Sequence, residues 1–486
     1  MQSKLHLYEI VYTILREQIL NSQLEYGSQL PSVRQLAKQH RVGAKTIKTV
    51  LKLLQRDGLI RTRERQRAVV IYQAPFMKKE NASVRSIARK RTAILDVYRT
   101  MELLMPEILA FCAKSVSIYE LPNYEKAVKW SKRPRLTGSW QICSNIIHDV
   151  LLSSGNFLFS SFYASLELYG EVPFLAEYQG LITGYTPYTE SHHADWILDC
   201  LQSDSYTVQR SFASYYRTAL RTAEKSFDLL MALHPDIRDD GEPRFTWNAG
   251  WGWDSLYKKI GRDLVEKIGM GIYSQGTLLP SQARLMEEYQ VSLSTIRKTL
   301  KVLQSLGFIE TINGRGSLVL SHEKWHIHQR SRHPNHRQDT IMFLCGLQLI
   351  TFLIRPAAAL VFDQYDMSLE QELQERLAHS PKSCLKEWMD CLLPRVPLYP
   401  LKVILGEVTD ILNWGYFYSF YAGSSPSMKK LNKLGERAFL SLQKGDREAC
   451  LRDLYEGYMY LFQTIRSACI QRGESRAGLL KVPQKL

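Results

Sequence analysis

Apolar residues near the start of the chain fall at Leu7, Ile10, Val11, Ile14, Leu15 and Ile19. That three-and-four spacing marks one face of an amphipathic helix. Glu25-Tyr26-Gly27 ends it, and Pro31-Ser32 opens a second, shorter helix with Ser32 as its N-cap and Leu36 facing inward. After a turn at His40-Arg41-Val42-Gly43, a third helix is predicted from about Ala44 to Arg56, with Ile47, Leu51 and Leu54 on its buried face and Asp57-Gly58 as its stop. Residues 59–63 and 68–72 are short β-branched or alternating runs and read as a two-stranded hairpin. Helix, helix, turn, helix, hairpin is the order of a winged helix-turn-helix.

The same pattern returns 249 positions later. Leu30-Pro31-Ser32 recurs as Leu279-Pro280-Ser281, and the offset also pairs Tyr8 with Tyr257, Gly27 with Gly276, Val42 with Val291, Leu54-Gln55 with Leu303-Gln304 and Gly58 with Gly307. Roughly 20 of about 68 positions are identical without a gap, which chance does not produce. In the second copy Leu256, Ile260, Leu264 and Ile268 mark the first helix, Ser281 caps the second, and Val291-Ser292-Leu293-Ser294 leads into the third. Residues 307–311 form the first strand, Asn313-Gly314-Arg315-Gly316 is a tight hairpin tip, and residues 317–320 return.

Between and after the copies the period is helical throughout, as in residues 94–111, 142–168 and 208–233. The expected fold class is therefore mainly α, a tandem duplication in which two winged helix-turn-helix domains (1–75 and 254–321) alternate with two all-helical domains (90–250 and 338–480). The most apolar run, Ile341 to Ile354, is broken by Gln348 and ended by Arg355-Pro356; it falls short of the ~20 residues a bilayer span needs and reads as a buried helix. The start of the chain has no apolar signal-peptide region. The eight cysteines form no CxxC pair or finger spacing and read as reduced, mostly buried thiols of a cytoplasmic protein. A net charge of +15 favours polyanionic partners, nucleic acid first and anionic membrane second. The first copy carries +8 and the second +3. No P-loop, GxSxG or HExxH motif is present, so an enzyme is not expected.

The repeated segments resemble the GntR family of bacterial regulators. The carrying residues are LPSVRQLA, VGAKTIK, GLI and RQRAVV in the first copy, and LPSQARLM, VSLSTIR, GFI and GRGSLV in the second. The pattern departs at Ala283, at Ala44 and Leu293, and at Arg65 and Arg67, which stand in place of the wing glycines. The resemblance implies that the third helix enters a major groove, where base edges are distinguishable. It assigns DNA contact to Ser32, Arg34, Lys45, Thr46 and Lys48 in the first copy, with Arg65 and Arg67 at the wing. In the second copy it assigns Ser281, Ser292, Ser294, Thr295 and Arg297, with Arg315 at the wing. A basic helix can equally be a solvated face, and some winged helices bind protein. The expected partner is double-stranded DNA, with a small-molecule effector left open and no membrane. Both readers in one chain imply an intramolecular pseudo-dimer on an asymmetric bipartite operator, with further pairing into a homodimer left open. The alternative is a non-regulatory DNA-binding protein such as a plasmid or phage replication initiator.

Ile146-Ile147-His148 followed by Ser154-Gly155-Asn156 resembles the helical, FCD-like ligand domain of the FadR-type branch, in which a histidine binds metal. Here Ser144 stands at the aspartate place, His193 fits a second histidine and Tyr215 stands where the last would be. Two ligands make a poor metal site, so His148 and His193 are weak metal candidates, no cofactor is expected, and a histidine held by a polar partner is the favoured reading. The second helical domain has Lys444-Gly445-Asp446 in a similar place without the histidines. His322, His326, His328, His333 and His336 lie among basic residues and read as a solvated hinge, like the basic linker 73–90.

Overall fold

The computed structural model describes residues 11–12, 15, 19, 24, 26–39, 43–63, 66–72, 86–131, 139–170, 193–249, 256–269, 271–320, 334–364, 367–379, 384–413, 426–471 and 473–483. Leu7, Ile10, Ile14, the 40–42 part of the first turn and the linker histidines 322, 326, 328 and 333 lie outside them, as does most of the 73–90 linker. The chain is mainly α-helical and forms two compact units. The first comprises 1–92, 225–242 and 250–254; the second comprises 93–224, 243–249 and 255–486.

In the first unit Val11, Leu15 and Ile19 are helical and fully buried, as their spacing predicts. Helix α1 (Val33–Gln39) and helix α2 (Ala44–Arg56) follow, then the antiparallel strands β1 (Ile60–Arg61) and β2 (Val69–Val70). The register pairs Ile60 with Val70. Ser32 caps α1 reciprocally: its hydroxyl accepts from the Gln35 N–H at 3.2 Å, and its own N–H donates to Gln35 Oε1 at 2.9 Å. This is a capping box, which satisfies two backbone donors that the helix itself cannot. The buried face of α2 is Ile47, Val50 and Leu54; Leu51, expected there, is only half-buried. These residues close a separate core with Leu30, Leu36, Leu59, Ile60, Ala68 and Val70. The paired strands are shorter than the 59–63 and 68–72 runs, although Leu59 and Ala68 just outside the pairing are also buried.

The second unit opens with helix α3 (Arg91–Ala113), most of which belongs to it, then α4 (Tyr124–Ser131), α5 (Ser139–Ser153), α6 (Phe157–Tyr169), α7 (His193–Leu201) and α8 (Ser205–Leu233), whose last residues lie in the first unit. The single periodic run 142–168 is thus two helices, broken at Ser154-Gly155-Asn156. Gly155 sits at φ +78°, and a Cβ there would lie 3.1 Å from the Leu479 carbonyl oxygen, so both the turn and the close backbone approach require glycine. Asn156 caps α6 by accepting from the Leu158 N–H at 3.0 Å. Its amide donates to the Cys345 carbonyl at 2.9 Å and to Gln348 Oε1 at 2.8 Å, and Gln348 donates to the Lys481 carbonyl at 2.6 Å. Asn156 and Gln348 are both fully buried.

The second winged helix is α9 (Leu256–Gly269), α10 (Gln282–Tyr289), α11 (Leu293–Ser305), β3 (Ile309–Ile312) and β4 (Gly316–Val319). Helix α12 (Pro334–Asp363) then runs through the centre of the second helical set. That set continues with α13 (Met367–His379), α14 (Cys384–Arg395), α15 (Tyr399–Leu412), α16 (Pro426–Gln443) and α17 (Arg447–Gln471). Arg355-Pro356 does not end α12 as the sequence suggests. Arg355 points to solvent and the helix continues to Asp363, because Pro356 forfeits only one backbone bond in a helix otherwise held by packing. The stretch Thr340–Asp363 is long and apolar enough to cross a bilayer, but 78% of its most apolar window is buried within the protein. It packs on α6, α15 and α17, and Phe352 meets Phe111 at 5.2 Å and Phe159 at 5.6 Å.

The second winged helix shares its core with this helical body. Helix α9 packs on α15, and Lys386 of α14 pairs with Glu266 of α9 at 3.0 Å. Burial pushes the Glu266 carboxyl up, while Lys386, Asp390 and Asp263 act on it with smaller, opposed effects. Val265 is fully buried in this packing; Arg16 occupies that position in the first copy.

All eight cysteines are free and buried. Burial pushes the thiols of Cys143 and Cys384 up, to about 12 and about 11. Because the thiolate is the nucleophile, a thiol-specific disulfide reagent at neutral pH is expected to find no fast-reacting thiol in the native protein and eight after unfolding. A rapid stoichiometric reaction in the native state would contradict the burial of these side chains.

Candidate nucleic-acid interface

The backbone bonds that close the two winged helices recur at matching positions. The Gly27 N–H donates to the Val70 carbonyl at 2.8 Å and the Gly276 N–H to Val319 at 2.9 Å. Leu30 to Ala68 and Leu279 to Ser317 are both 2.8 Å. Gly27 and Gly276 have φ of 81° and 79°, and Gly58 and Gly307 have φ of 71° and 79°. These glycines make the turns into α1 and α10 and out of α2 and α11, where a positive φ is required. Thr62 Oγ1 donates to Gln55 Oε1, as Thr311 donates to Gln304 at 2.8 Å, so in each copy a strand threonine pins the wing to the end of the third helix. The repeat alignment contained both glutamines, but only the fold gives them this role.

Each third helix buries one face and exposes the other. Lys45, Lys48 and Lys52 are exposed on α2, and three-and-four spacing puts them on one side, opposite Ile47, Val50 and Leu54. Thr46 is half-buried. Arg34 is exposed in the first turn of α1, beside the capped Ser32. Of the first wing, Arg67 is exposed, as are Arg61 and Arg63; Arg65 lies outside the described residues. Lys52, Arg61 and Arg63 were not among the sequence candidates, although the period from Lys45 and Lys48 leads directly to Lys52.

In the second copy the corresponding face of α11 carries Ser294, Arg297 and Lys301, all exposed, with Thr295 half-buried. The Ser292 hydroxyl lies 2.9 Å from that of Ser294 and 3.0 Å from that of Thr295, so three hydroxyls gather at the start of the helix. The Arg297 Nε donates to Gln282 Oε1 at 3.4 Å. Ser281 caps α10, accepting from the Arg284 N–H at 3.3 Å. Arg284 thus takes the sequence position of the Gln35 that completes the first capping box. The wing is longer, with four-residue strands in register Ile309 to Val319, and Arg315 is exposed at a tip where Gly314 and Gly316 both have positive φ.

Several second-copy cations are spent internally. Lys258 and Arg262 are buried. Lys267 bridges Asp263 at 2.9 Å and Glu288 at 2.6 Å. Desolvation disfavours its charge, but the bonds from Glu288, Tyr289 and Asp263 outweigh that and raise its pKa. The Lys298 ammonium sits 4.1 Å from the centre of the Tyr257 ring.

The helical domain holds the sequence's metal candidate. His148 Nδ1 lies 2.8 Å from the Ser160 hydroxyl and Nε2 lies 2.9 Å from Glu167 Oε2, so both ring nitrogens are engaged by side chains. Ser144 is buried one turn earlier on the same helix. Tyr215 stacks on Trp196 at 5.3 Å. The His193 side chain lies outside the described residues. Among the described residues no group of three or more His, Cys, Asp or Glu is arranged to hold a metal ion. The described residues do not by themselves supply the three-ligand set that a transition metal takes.

The chain thus presents two winged helix-turn-helix domains, each with a polar or basic third-helix face turned outward. Residues 7–70 and 256–319 each match the family of bacterial regulatory proteins, gntR family. These two segments, the winged helix-turn-helix domains, are the parts of the chain that match this family. Among curated relatives it is 38% identical over 65 residues to the HTH-type transcriptional regulator TreR of Bacillus subtilis, covering 13% of this chain and 27% of that one. It is 32% identical over 71 residues to the Exu regulon transcriptional regulator of Escherichia coli, covering 15% and 28%. The chain thus spans little more than a quarter of the length of these relatives. Solved structures that align with it include a GntR protein of Streptococcus agalactiae, with 15% identity, a TM-score of 0.21, and 43% of this chain against 100% of that one covered. E. coli McbR/YncC gives 16%, 0.24, 44% and 99%. At such TM-scores these alignments bear on neither fold nor function.

Proposed function

We propose that the chain is a sequence-specific, non-enzymatic transcriptional regulator that binds double-stranded DNA through both winged helices and reads an asymmetric, two-part operator. The observation that carries this reading is the recurrence of the same winged-helix backbone bonds at matching positions, with a polar or basic third-helix face exposed in both copies. The curated relatives are named as transcriptional regulators, and they match this chain over 65 and 71 residues. In this reading Ser32, Arg34, Lys45, Thr46, Lys48, Arg65 and Arg67 face one half-site, and Ser281, Ser292, Ser294, Thr295, Arg297 and Arg315 face the other. Covalent linkage of two readers takes the place of the dimer, since it raises the effective concentration of the second once the first is bound. The functional division is 1–75 and 254–321 as readers, with 90–250 and 338–480 as helical domains that hold them and respond to an effector, in the cytoplasm.

The test is selection of bound duplexes from a random pool with the full-length protein. Two unlike half-motifs at one fixed spacing are expected. A perfect palindrome would point instead to one reader acting in a homodimer, and the absence of any enriched motif would overturn the regulator reading.

A further inference from the structure

We infer that the two readers have different tasks: the first winged helix supplies most of the salt-dependent grip on phosphate, and the second supplies base discrimination through Arg297. This rests on the reading of the chain as a DNA-binding regulator. The two copies match in backbone but not in how they use charge. In the first, Lys45, Lys48 and Lys52 line the exposed side of α2, and Arg61, Arg63 and Arg67 are exposed on the wing. In the second, Lys258 and Arg262 are buried, Lys267 is held between two carboxylates and Lys298 covers the Tyr257 ring. The exposed field of the first copy is therefore more strongly positive than that of the second. Neutralised phosphates release counterions, so the copy with more exposed cations carries more of the salt dependence.

The 249-residue offset places Arg297 where the first copy has Lys48. A lysine ammonium on a four-carbon stem acts as a mobile point charge, which suits phosphate. A guanidinium is planar and offers a fork that matches guanine O6 and N7. Gln282 holds Arg297 by Nε, which leaves the two terminal nitrogens to the exposed face and restricts the rotamers lost on binding. Around it the start of α11 carries short hydroxyl side chains, Ser292, Ser294 and Thr295, that let the helix approach base edges closely. The first copy has Gly43, Lys45 and Thr46 at those positions.

The experiment measures binding of the full-length protein to its selected operator and to a random-sequence duplex across a salt series, for wild type, the double variant Lys48→Ala/Lys52→Ala, Arg297→Ala and Arg297→Lys. All substituted side chains are exposed, and unchanged circular-dichroism melting confirms folding. The double lysine variant is expected to lower the slope of log affinity against log salt by about 2 and to weaken both duplexes alike. Arg297→Ala is expected to change the slope by no more than about 1, while the ratio of operator to random affinity falls roughly tenfold to a hundredfold. Arg297→Lys is expected to restore the slope but not the ratio. If the lysine pair changes the ratio and leaves the slope, or Arg297→Ala weakens both duplexes equally, the division of tasks is wrong while the regulator reading stands. If wild type prefers its operator to random sequence by nothing at all, both fall.

Discussion

Leu54→Ala is expected to unfold the first winged helix at physiological temperature, whereas the matching Leu303→Ala is expected to leave a folded protein of lowered stability. Both leucines are fully buried and stand at equivalent places on the third helix of their copy. Truncating a buried leucine removes its transfer energy and leaves a cavity, at a cost of about 2–5 kcal/mol. The first copy closes its own core of about a dozen side chains. A core of that size supports only about 3–5 kcal/mol of net stability, so the loss is comparable to the whole. The second copy's core runs on into the helical body through α9, α14 and α15. There the same loss is spread over a larger cooperative unit and moves its Tm by only a few degrees. Thermal melting with amide hydrogen exchange checks this: Leu54→Ala should abolish protection in α2 and erase one half-motif in pool selection. Equal, small shifts for the two variants would mean that the first winged helix does not rest on its own core.

Asn156→Ala is expected to cost about 2–4 kcal/mol in urea denaturation of the helical body. The side chain caps α6, and losing such a cap costs about 1 kcal/mol. Its amide also satisfies the Cys345 carbonyl and Gln348 Oε1 in full burial, and a buried acceptor left without its donor costs about 1–3 kcal/mol more. Asn156→Asp separates the two contributions: it keeps an acceptor for the cap but supplies no donor to α12, and it adds a buried charge. It should be at least as harmful as alanine. A cost below about 1 kcal/mol for either variant would show that the network between α6, α12 and the Lys481 carbonyl contributes nothing. The Ser154-Gly155-Asn156 turn thus has a packing role, independent of any ligand, in joining the two helical sets.

The sequence by itself determined the tandem winged helices. Their helices are amphipathic with short periods, their turns depend on Gly27, Gly58, Gly276 and Gly307, and their caps on Ser32 and Ser281. Each of these is a local interaction, so it can be read from neighbours in the chain. The outward third-helix residues were legible for the same reason, since three-and-four spacing places Lys45 and Lys48, or Ser294 and Arg297, opposite a buried stripe. The two larger domains were legible only as helical. Tertiary structure decided that 142–168 breaks at Asn156, because the partners that make the break stable are Cys345 and Gln348, nearly two hundred residues away. It decided that α12 passes through Arg355-Pro356, since packing outweighs one missing backbone bond. It decided that His148 belongs to Ser160 and Glu167. Above all, it decided that the copies differ electrostatically. A count of charges treats every lysine and arginine alike, but burial of Lys258 and Arg262 and the pairing of Lys267 and Lys298 depend on side chains brought together by folding.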